Sequence, residues 1–160
     1  MNFTETKALN QKQLLEIISL WNQEYPKKLE LPTPMDFEHY LQGLKDRRHI
    51  ILTDESNTIN GWLVHFIRDG EKWFAMLIDA KLQGRGLGSK FLDLAKNRNT
   101  VLNGWVIDHD GELKEDGTFY KSPIGFYLKN GFDILPGISL EKQQIKGIKI
   151  RAKKDWKTDG

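Results

Sequence analysis

The sequence predicts a single α/β (α+β) domain over residues 1–160, with a mixed central sheet of about six to seven strands flanked by about four helices. Its central feature is a strand, a glycine-rich turn, a helix and a second strand between residues 73 and 108. A helix that crosses over between two strands makes those strands parallel. The hairpin signal Asp69-Gly70 precedes this unit and joins two antiparallel strands. The two kinds of pairing together predict a mixed sheet.

Two amphipathic helices and the first strands occupy the N-terminal half. Asn10, with Gln13 three residues later, predicts a capped helix start, and Pro26 ends that helix. Thr33-Pro34 gives the second helix a cap and a proline in its first turn. Strands are predicted at residues 2–7, 49–53, 59–68 and 71–79.

The second half continues with a helix over residues 84–96 and a strand over residues 101–108. The segment 109–121 is longer than a median loop and has room for a small hairpin of its own. A short helix over residues 124–130 is expected to end at Gly131 in the left-handed conformation. The last strands are predicted to start at residue 132 and to cover residues 145–152.

Composition excludes several classes of protein. No apolar run approaches the roughly 20 residues of a membrane span, and the first residues lack the pattern of a secretory signal. The absence of cysteine excludes disulfides, thiolate metal sites and an acyl-cysteine intermediate, and it fits a cytoplasmic protein. The four histidines show no metal-ligand spacing, so no metal is expected.

Charge is unevenly distributed along the chain. Residues 141–160 hold seven basic and three acidic side chains, although the net charge of the whole chain is only +2. Aromatic residues are not interleaved with these lysines, so nucleic-acid binding through this basic tail is not favoured. The strand over residues 145–152 has the basic outer face of an exposed edge strand, which could also pair across a homodimer.

The turn before the central helix contains three glycines within five residues, Gly84, Gly86 and Gly88. The first N–H groups of a helix have no partner inside it, so a glycine-rich helix start predicts an anion site and a phosphate-bearing ligand. A dinucleotide-binding motif would need a third glycine at position 89, which is serine. A P-loop would need Gly-Lys-Ser/Thr, and Gly88-Ser89-Lys90 has a different order.

The motif that fits is Q-x-x-G-x-G, met by Gln83, Gly86 and Gly88. It resembles the pyrophosphate-binding signature of the GNAT superfamily, the acetyl-CoA-dependent N-acetyltransferases. A second pattern, F-Y-x-x-x-G-F over residues 126–132, resembles the later helix motif of the same family and follows about 40 residues on, in the expected order. The resemblance covers roughly residues 49–135.

The resemblance implies direct transfer of acetyl from acetyl-CoA to a primary amine in a ternary complex. It implies a bulge near the end of the central strand that separates neighbouring strands for the thioester. Tyr127 matches the family's proton donor to the departing thiolate, and the alternative is an aromatic on a packed helix face. Arg85 could add charge to the phosphates or be a plain surface arginine. The residues expected to bind the cofactor are Met76, Leu77, Ile78, Gln83, Gly84, Arg85, Gly86, Leu87, Gly88 and Ser89.

The sequence does not identify the general base that would take the proton from the amine. The central strand has no interior carboxylate, where members of the family place a glutamate. Asp108 and His109, at the end of the next strand, are the candidates, and a water chain is the alternative. His65 shares a face with Leu63 and Ile67 and is expected in the core or at its rim.

An acidic run lies between residues 108 and 116. Such a run is either a solvated loop or, at a pocket mouth, a selector for a cationic acceptor such as a polyamine, an amino sugar or a lysine side chain. The run consists of Asp108, Asp110, Glu112, Glu115 and Asp116.

A non-catalytic acyl-CoA-binding or regulatory module is the alternative function, because a fold alone does not establish chemistry.

Overall fold

The computed structural model describes residues 1–153, and the end of the basic tail, residues 154–160, lies outside the described residues. The chain forms a seven-stranded mixed sheet in the order β1-β2-β3-β4-β5-β7-β6, flanked by four α-helices, which confirms the predicted fold class. The strands are β1 Asn2–Thr6, β2 Lys45–Thr53, β3 Ile59–Arg68, β4 Glu71–Ile78, β5 Val101–Ile107, β6 Asp133–Lys142 and β7 Ile145–Lys153. The helices are α1 Gln11–Glu24, α2 Pro34–Gln42, α3 Leu87–Arg98 and α4 Ile124–Lys129, with short 3₁₀ turns at Lys27–Leu29 and Ala80–Leu82. No helix within residues 1–153 is both long and apolar enough to cross a membrane.

Helices α1 and α2 begin where their caps predict. The Gln13 N–H donates to Asn10 Oδ1 over 2.8 Å, and the Asn10 N–H donates back to Gln13 Oε1 over 2.9 Å. Thr33 and Asp36 form the same reciprocal box at the start of α2. Each box satisfies donors that would otherwise have no partner at a helix start. Both helices pack on one face of the sheet.

Strand β2 starts earlier than the sequence suggests. The predicted start at residue 49 is wrong by four residues, because polar side chains conceal pairing that is satisfied through the backbone. Lys45 pairs with Ile67 and Arg48 with His65, with a register irregularity between them. Asp46 takes a φ of +50° there, so the strand bulges and continues.

The β3–β4 hairpin is tight and regular. Arg68 pairs with Glu71 across the two-residue turn Asp69-Gly70, whose φ angles are +51° and +76°. Positive φ at both central residues is the geometry that matches the twist of the flanking strands. The register then runs without a shift to Gly61–Ile78, so the expected bulge near the end of β4 is absent from this pairing.

Strands β4 and β5 are parallel, as the crossover predicts, but they are registered at a single pair, Trp73 and Asn103. Beyond that pair they separate without a bulge. The Phe74 ring lies against Gly104, where an added Cβ would stand only 2.9 Å from Phe74 Cε1. The Asn103 side chain holds the junction, because its Nδ2 donates to the Lys72 carbonyl over 2.9 Å and its Oδ1 accepts from Arg151 Nε over 2.8 Å.

Strand β7 is not an edge strand. It lies between β5 and β6 and pairs with both, so the predicted exposed edge, and a dimer paired through it, are wrong. The reason is that β6 extends to Lys142 and covers β7. The edges of the sheet are β1 and β6.

The core has two parts, one on each face of the sheet. Trp62, Val64 and Phe66 of β3 face α1 and α2, whereas Leu63 faces α3 and α4. His65 is 2% exposed, which confirms its placement in the core. Burial lowers the pKa of His65 to about 4.

Candidate active site

A cleft opens where β4 and β5 separate. Its volume is about 1440 Å³, above the roughly 300–1,000 Å³ of a pocket for one drug-sized ligand. It therefore has room for two ligands at once. Its lining includes the glycine turn at residues 83–89 and a group of aromatic side chains. We call the latter the aromatic section, and it consists of Trp21, Tyr25, Tyr40, Phe66, Trp73 and Trp105.

The glycine turn presents free backbone N–H groups to this cleft. Within the described chain, the N–H groups of residues 84–89 have no backbone acceptor. Gly84 and Gly86 have φ angles of +82° and +76°, and no atom lies within 4 Å of the place where a Cβ would stand. Unpaired N–H groups beside open space at the start of a twelve-residue helix are a geometry that favours an anion. Because glycines with positive φ cannot continue a helix, the predicted helix start at residue 84 is wrong, and α3 begins at Leu87.

Gly88 has a different role from the other two glycines. A Cβ at Gly88 would stand 2.7 Å from Phe126 Cζ and 3.3 Å from Ile78 Cδ1. Its φ lies outside the left-handed region, so the constraint is purely steric. Gly88 therefore lets α4 approach α3 and brings residue 127 beside the turn.

The separated edge of β4 also borders the cleft. Met76, Leu77 and Ile78 line it. Since β4 and β5 are registered only at Trp73, the backbone groups of β4 that point toward β5 have no strand partner past that residue. Such an edge can hydrogen-bond an extended ligand as a further strand would.

Tyr127 faces this junction from α4. It is 6% exposed, lines the cleft, and packs its ring against Phe74, Phe126 and Phe132 at centroid distances of 5.1 to 5.7 Å. Burial raises its pKa well above 10, so the hydroxyl keeps its proton at neutral pH. The Lys96 ammonium donates to the Asn130 carbonyl over 2.6 Å and fixes α4 against α3.

The loop before α4 is also anchored. The Ser122 hydroxyl donates to the Ile107 carbonyl at the end of β5 and accepts from the Ile124 N–H. The Ser122 N–H donates to Asp110 Oδ1 over 2.7 Å. A bridge between Leu113 and Phe119 closes the small hairpin expected in this segment.

The structure does not bring the proposed bases into the cleft. Asp108 and His109 are exposed and do not line it. His109 Nδ1 accepts from the Gly111 N–H over 3.0 Å, and His109 Nε2 lies 3.8 Å from Glu112 Oε2. Arg85 is likewise exposed and outside the lining. The other nine expected cofactor residues all line the cleft.

The acidic run fits a solvated loop. None of its five carboxylate residues lines the cleft. Glu112 forms an ion pair with Lys28 at 3.3 Å, and Asp116 accepts from the Thr118 hydroxyl over 2.6 Å. These local partners occupy the carboxylates outside the cleft.

Sequence reasoning missed Glu24, the buried carboxylate of the lining, which is 7% exposed. Its Oε2 accepts from the Ala80 N–H over 3.0 Å, and its Oε1 lies 3.2 Å from Lys114 Nζ. It thus ties α1 to the end of β4 and to the 109–121 segment. The signal was present, because Glu24 follows Trp21 by three residues on the apolar stripe of α1.

Sequence reasoning also missed that all four tyrosines of the chain line this cleft. Burial raises the pKa of Tyr40 and of Tyr120 to about 12 and that of Tyr25 well above 10. The tyrosines are therefore neutral hydrogen-bonding groups at pH 7.

Comparison with known proteins identifies the fold. No protein-family model and no curated protein matches the sequence. Solved structures do match, and each alignment covers 96% of this chain. An aminoglycoside 6'-N-acetyltransferase complexed with coenzyme A has a TM-score of 0.71 at 13% identity over 97% of its chain. A GNAT superfamily phosphinothricin acetyltransferase from Sinorhizobium meliloti, in complex with acetyl-CoA, has a TM-score of 0.68 at 12% identity over 89% of its chain.

A mutant of the spermidine N-acetyltransferase from Vibrio cholerae has a TM-score of 0.64 at 14% identity over 95% of its chain. These proteins act on different amines. A structural match at such low sequence identity shows a shared fold but not a shared substrate. The fold of this chain is that of the GNAT superfamily acetyltransferases.

Proposed function

We propose that the protein is an acetyl-CoA-dependent N-acetyltransferase that moves an acetyl group to a primary amine by direct attack in a ternary complex. The observation that carries this proposal is a single cleft that joins a turn of free N–H groups, an unpaired strand edge and an aromatic section. Two structural neighbours hold coenzyme A or acetyl-CoA.

The cofactor would extend along one half of the cleft. The N–H groups of residues 84–89 would hold the pyrophosphate, because they are unpaired and open to the cleft. The edge of β4 at Met76, Leu77 and Ile78 would pair with the amides of the pantetheine arm. Gln83 and Leu87 line the same half. Arg85 is exposed beside the turn, where its charge would add to phosphate affinity at low ionic strength.

Tyr127 is the proposed donor to the departing sulfur. A thiolate leaves with a pKa of about 8.5 if it resembles cysteine. Since burial raises the pKa of Tyr127 well above that value, complete proton transfer would be unfavourable. The hydroxyl would instead donate a hydrogen bond to the sulfur as charge develops in the transition state.

The amine must lose its proton before it attacks, since a lysine-like amine has a pKa of about 10.4. The tyrosines are neutral, and Glu24 already accepts from Lys114 and Ala80. Asp108 and His109 lie outside the lining. We therefore propose that the proton leaves through water in the open cleft rather than to a side chain in contact with the amine.

The alternative function is a non-catalytic acyl-CoA-binding or regulatory module. It is favoured by the placement of both candidate bases outside the cleft. Calorimetric titration with acetyl-CoA, followed by measurement of free thiol released with a broad panel of amines, separates the two functions. Thiol release that depends on an amine supports the transferase, whereas tight binding without release by any amine supports the module.

A further inference from the structure

Arg68 places a positive charge in the aromatic section. It is the last residue of β3 and lines the cleft half-buried. Its guanidinium carbon lies 5.0 Å from the centroid of the Phe66 ring and 5.4 Å from that of Trp73. Its charge also opposes the burial-induced rise in the pKa of Tyr40. The guanidinium is therefore held in a fixed orientation by aromatic faces.

Several other cations near the cleft already have carboxylate partners. Lys28 pairs with Glu112 at 3.3 Å, and Lys114 pairs with Glu24 at 3.2 Å. Arg151 lies 2.8 Å from Glu71. Within residues 1–153, no carboxylate lies within ion-pair distance of Arg68. The lysines of the lining without a carboxylate partner there, Lys121, Lys129 and Lys142, are exposed.

A half-buried guanidinium without a carboxylate partner among residues 1–153 is suited to an anion. Its charge is less screened than that of an exposed lysine, because the surrounding aromatic rings exclude water. Its planar fork also matches a carboxylate, with two parallel hydrogen bonds. The acidic run that could have favoured a cationic acceptor lies outside the lining.

The position of Arg68 relates it to the transfer reaction. Trp73, on which it stacks, is the residue paired with Asn103, where β4 and β5 begin to separate. The next residue, Phe74, contacts Tyr127 at a centroid distance of 5.7 Å. A molecule bound to Arg68 would lie in the aromatic section of the same cleft that Tyr127 lines.

We propose that the acceptor is an amine that also carries a carboxylate, as an amino acid does, and that Arg68 binds this carboxylate. The aromatic section would contact the apolar body of the acceptor and direct its amine toward the thioester. This inference rests on the proposed function, because an acceptor has a meaning only for a transferase. Arg68 acts here as a residue that determines specificity and positions the acceptor.

Binding of a carboxylate can be measured without turnover. Calorimetric titration of the coenzyme A complex would compare 3-phenylpropionate with its uncharged amide in wild type, Arg68→Gln and Arg48→Gln. Arg48 is an exposed arginine outside the cleft lining and serves as the charge-matched control. Affinity for the carboxylate should fall about 10- to 100-fold in Arg68→Gln, the loss typical of hydrogen bonds to a charged group. It should hold within about twofold in Arg48→Gln, and amide binding should change in neither variant.

Two further measurements test whether Arg68→Gln has a folding defect. Coenzyme A affinity and the melting temperature of Arg68→Gln should match those of wild type. Arg68→Lys should recover only part of the carboxylate affinity, because it restores the charge without the fork. Equal carboxylate affinity in wild type and Arg68→Gln would overturn the inference.

Turnover then separates this inference from the proposed function. The acceptors are the matched pairs L-phenylalanine with phenethylamine and L-tryptophan with tryptamine. Wild type should favour the carboxylated member in kcat/KM, and Arg68→Gln should remove that preference, mainly through KM. The quantity to compare between variants is the ratio of kcat/KM for the carboxylated member to kcat/KM for its partner amine. This comparison cancels intrinsic differences in amine reactivity.

Turnover of amines without a carboxylate, polyamines included, as fast as that of the carboxylated members would overturn the inference and leave the transferase function standing. Acetyl-CoA binding without turnover of any amine would contradict the proposed function. The acceptor role of Arg68 would then fall with it, even if carboxylate binding still depended on Arg68.

Discussion

Tyr127 holds a neutral hydroxyl in the cleft and packs its ring against Phe74, Phe126 and Phe132, so the hydroxyl can be removed while the ring packing is kept. We predict that Tyr127→Phe lowers the single-turnover rate of acetyl transfer by roughly 10²–10³, the usual effect of losing one transition-state hydrogen-bond donor. The Kd for acetyl-CoA should stay within about twofold, because the interaction strengthens only as the sulfur becomes charged. Rapid-quench kinetics, calorimetry and a thermal melt on one preparation test this. An unchanged rate with a lowered melting temperature would mean that Tyr127 is only structural.

Removal of the amine proton is a second question at the scale of single residues. If the proton leaves to water, kcat/KM should rise about tenfold per pH unit between pH 6 and 8 for an amine of pKa about 10.4. The double variant Asp108→Asn/His109→Gln should give the same profile, because both side chains are exposed outside the cleft. Initial rates across pH in the two proteins test this. A profile that levels off near pH 6.5 in wild type and loses that plateau in the variant would identify a side-chain base at these positions.

At the scale of elements, the approach of α4 to α3 depends on Gly88. We predict that Gly88→Ala destabilises the protein by about 1–3 kcal/mol through overpacking against Phe126 and also lowers the transfer rate, because Tyr127 shifts with α4. Shortening the neighbour in Gly88→Ala/Phe126→Leu should recover part of both losses, and the double-mutant cycle measures that coupling. Gly125→Ala, where a Cβ meets no atom within 4 Å, is the control for stability. Additive effects of the two substitutions would contradict the proposed contact.

The elements that the sequence predicted well are those with local signals. Capping pairs at Asn10 and Thr33, the Asp69-Gly70 turn and Gly131 each lie within a few residues of the structure that they determine. Gly131 indeed takes a φ of +85°. The first strand residues of β2 were missed because their pairing partners lie on β3, beyond any local window.

The cofactor half of the site was predictable for the same reason, since the glycine turn is continuous in sequence. The acceptor half was not, because it gathers α1, α2, β3, β4 and β5, and no short motif spans them. The sequence pattern around Arg68 predicts only the end of a strand beside a hairpin. The place of His109 after β5 made it a candidate base, and only the fold of the 109–121 segment shows that it is exposed.

At the scale of the whole molecule, two buried histidines link stability to pH. Burial lowers the pKa of both His49 and His65 to about 4. His49 Nδ1 accepts from Trp62 Nε1 over 3.0 Å, while His49 Nε2 and His65 Nδ1 have no partner within residues 1–153. Protonation would therefore place a positive charge in the core without compensation.

The direction in which stability changes with pH follows from the difference in proton binding between the folded and unfolded states. In the unfolded chain both histidines titrate near pH 6.5, so between about pH 6.5 and 4 the unfolded state binds more protons. Stability should be complete above about pH 6.5 and fall as the pH drops toward 4, by up to roughly 3 kcal/mol for each histidine. Urea unfolding at pH 7, 6 and 5 measures it. His65→Leu should reduce this dependence, because it removes one of the two buried histidines. Leucine suits the position, since His65 faces the same side of β3 as Leu63. Replacement of the exposed His109 in His109→Gln should leave the dependence unchanged. Equal slopes in all three proteins would show that the histidines do not control acid stability.

Acetyl-CoA should stabilise the folded protein, because its proposed site joins α3, α4 and β4. At about 100 times its Kd, a ligand specific for the folded state adds roughly 2.7 kcal/mol. For a chain of this size that corresponds to a rise in melting temperature of roughly 5–10 °C. A thermal melt with and without acetyl-CoA tests the cofactor assignment, and no shift at millimolar ligand would contradict it.

A matched pair of glycines then shows whether this stabilisation comes from the turn before α3. Gly86 and Gly70 have the same φ of +76°, and a Cβ at either meets no atom within 4 Å. Replacing either with alanine should therefore cost a similar roughly 1–2 kcal/mol of strain in the left-handed region. Only Gly86→Ala adds a methyl group where the pyrophosphate would approach the free N–H groups, so only this variant should lose acetyl-CoA affinity and the thermal shift. Equal acetyl-CoA affinity in the two variants, measured by calorimetry, would mean that the turn shapes α3 without binding the cofactor.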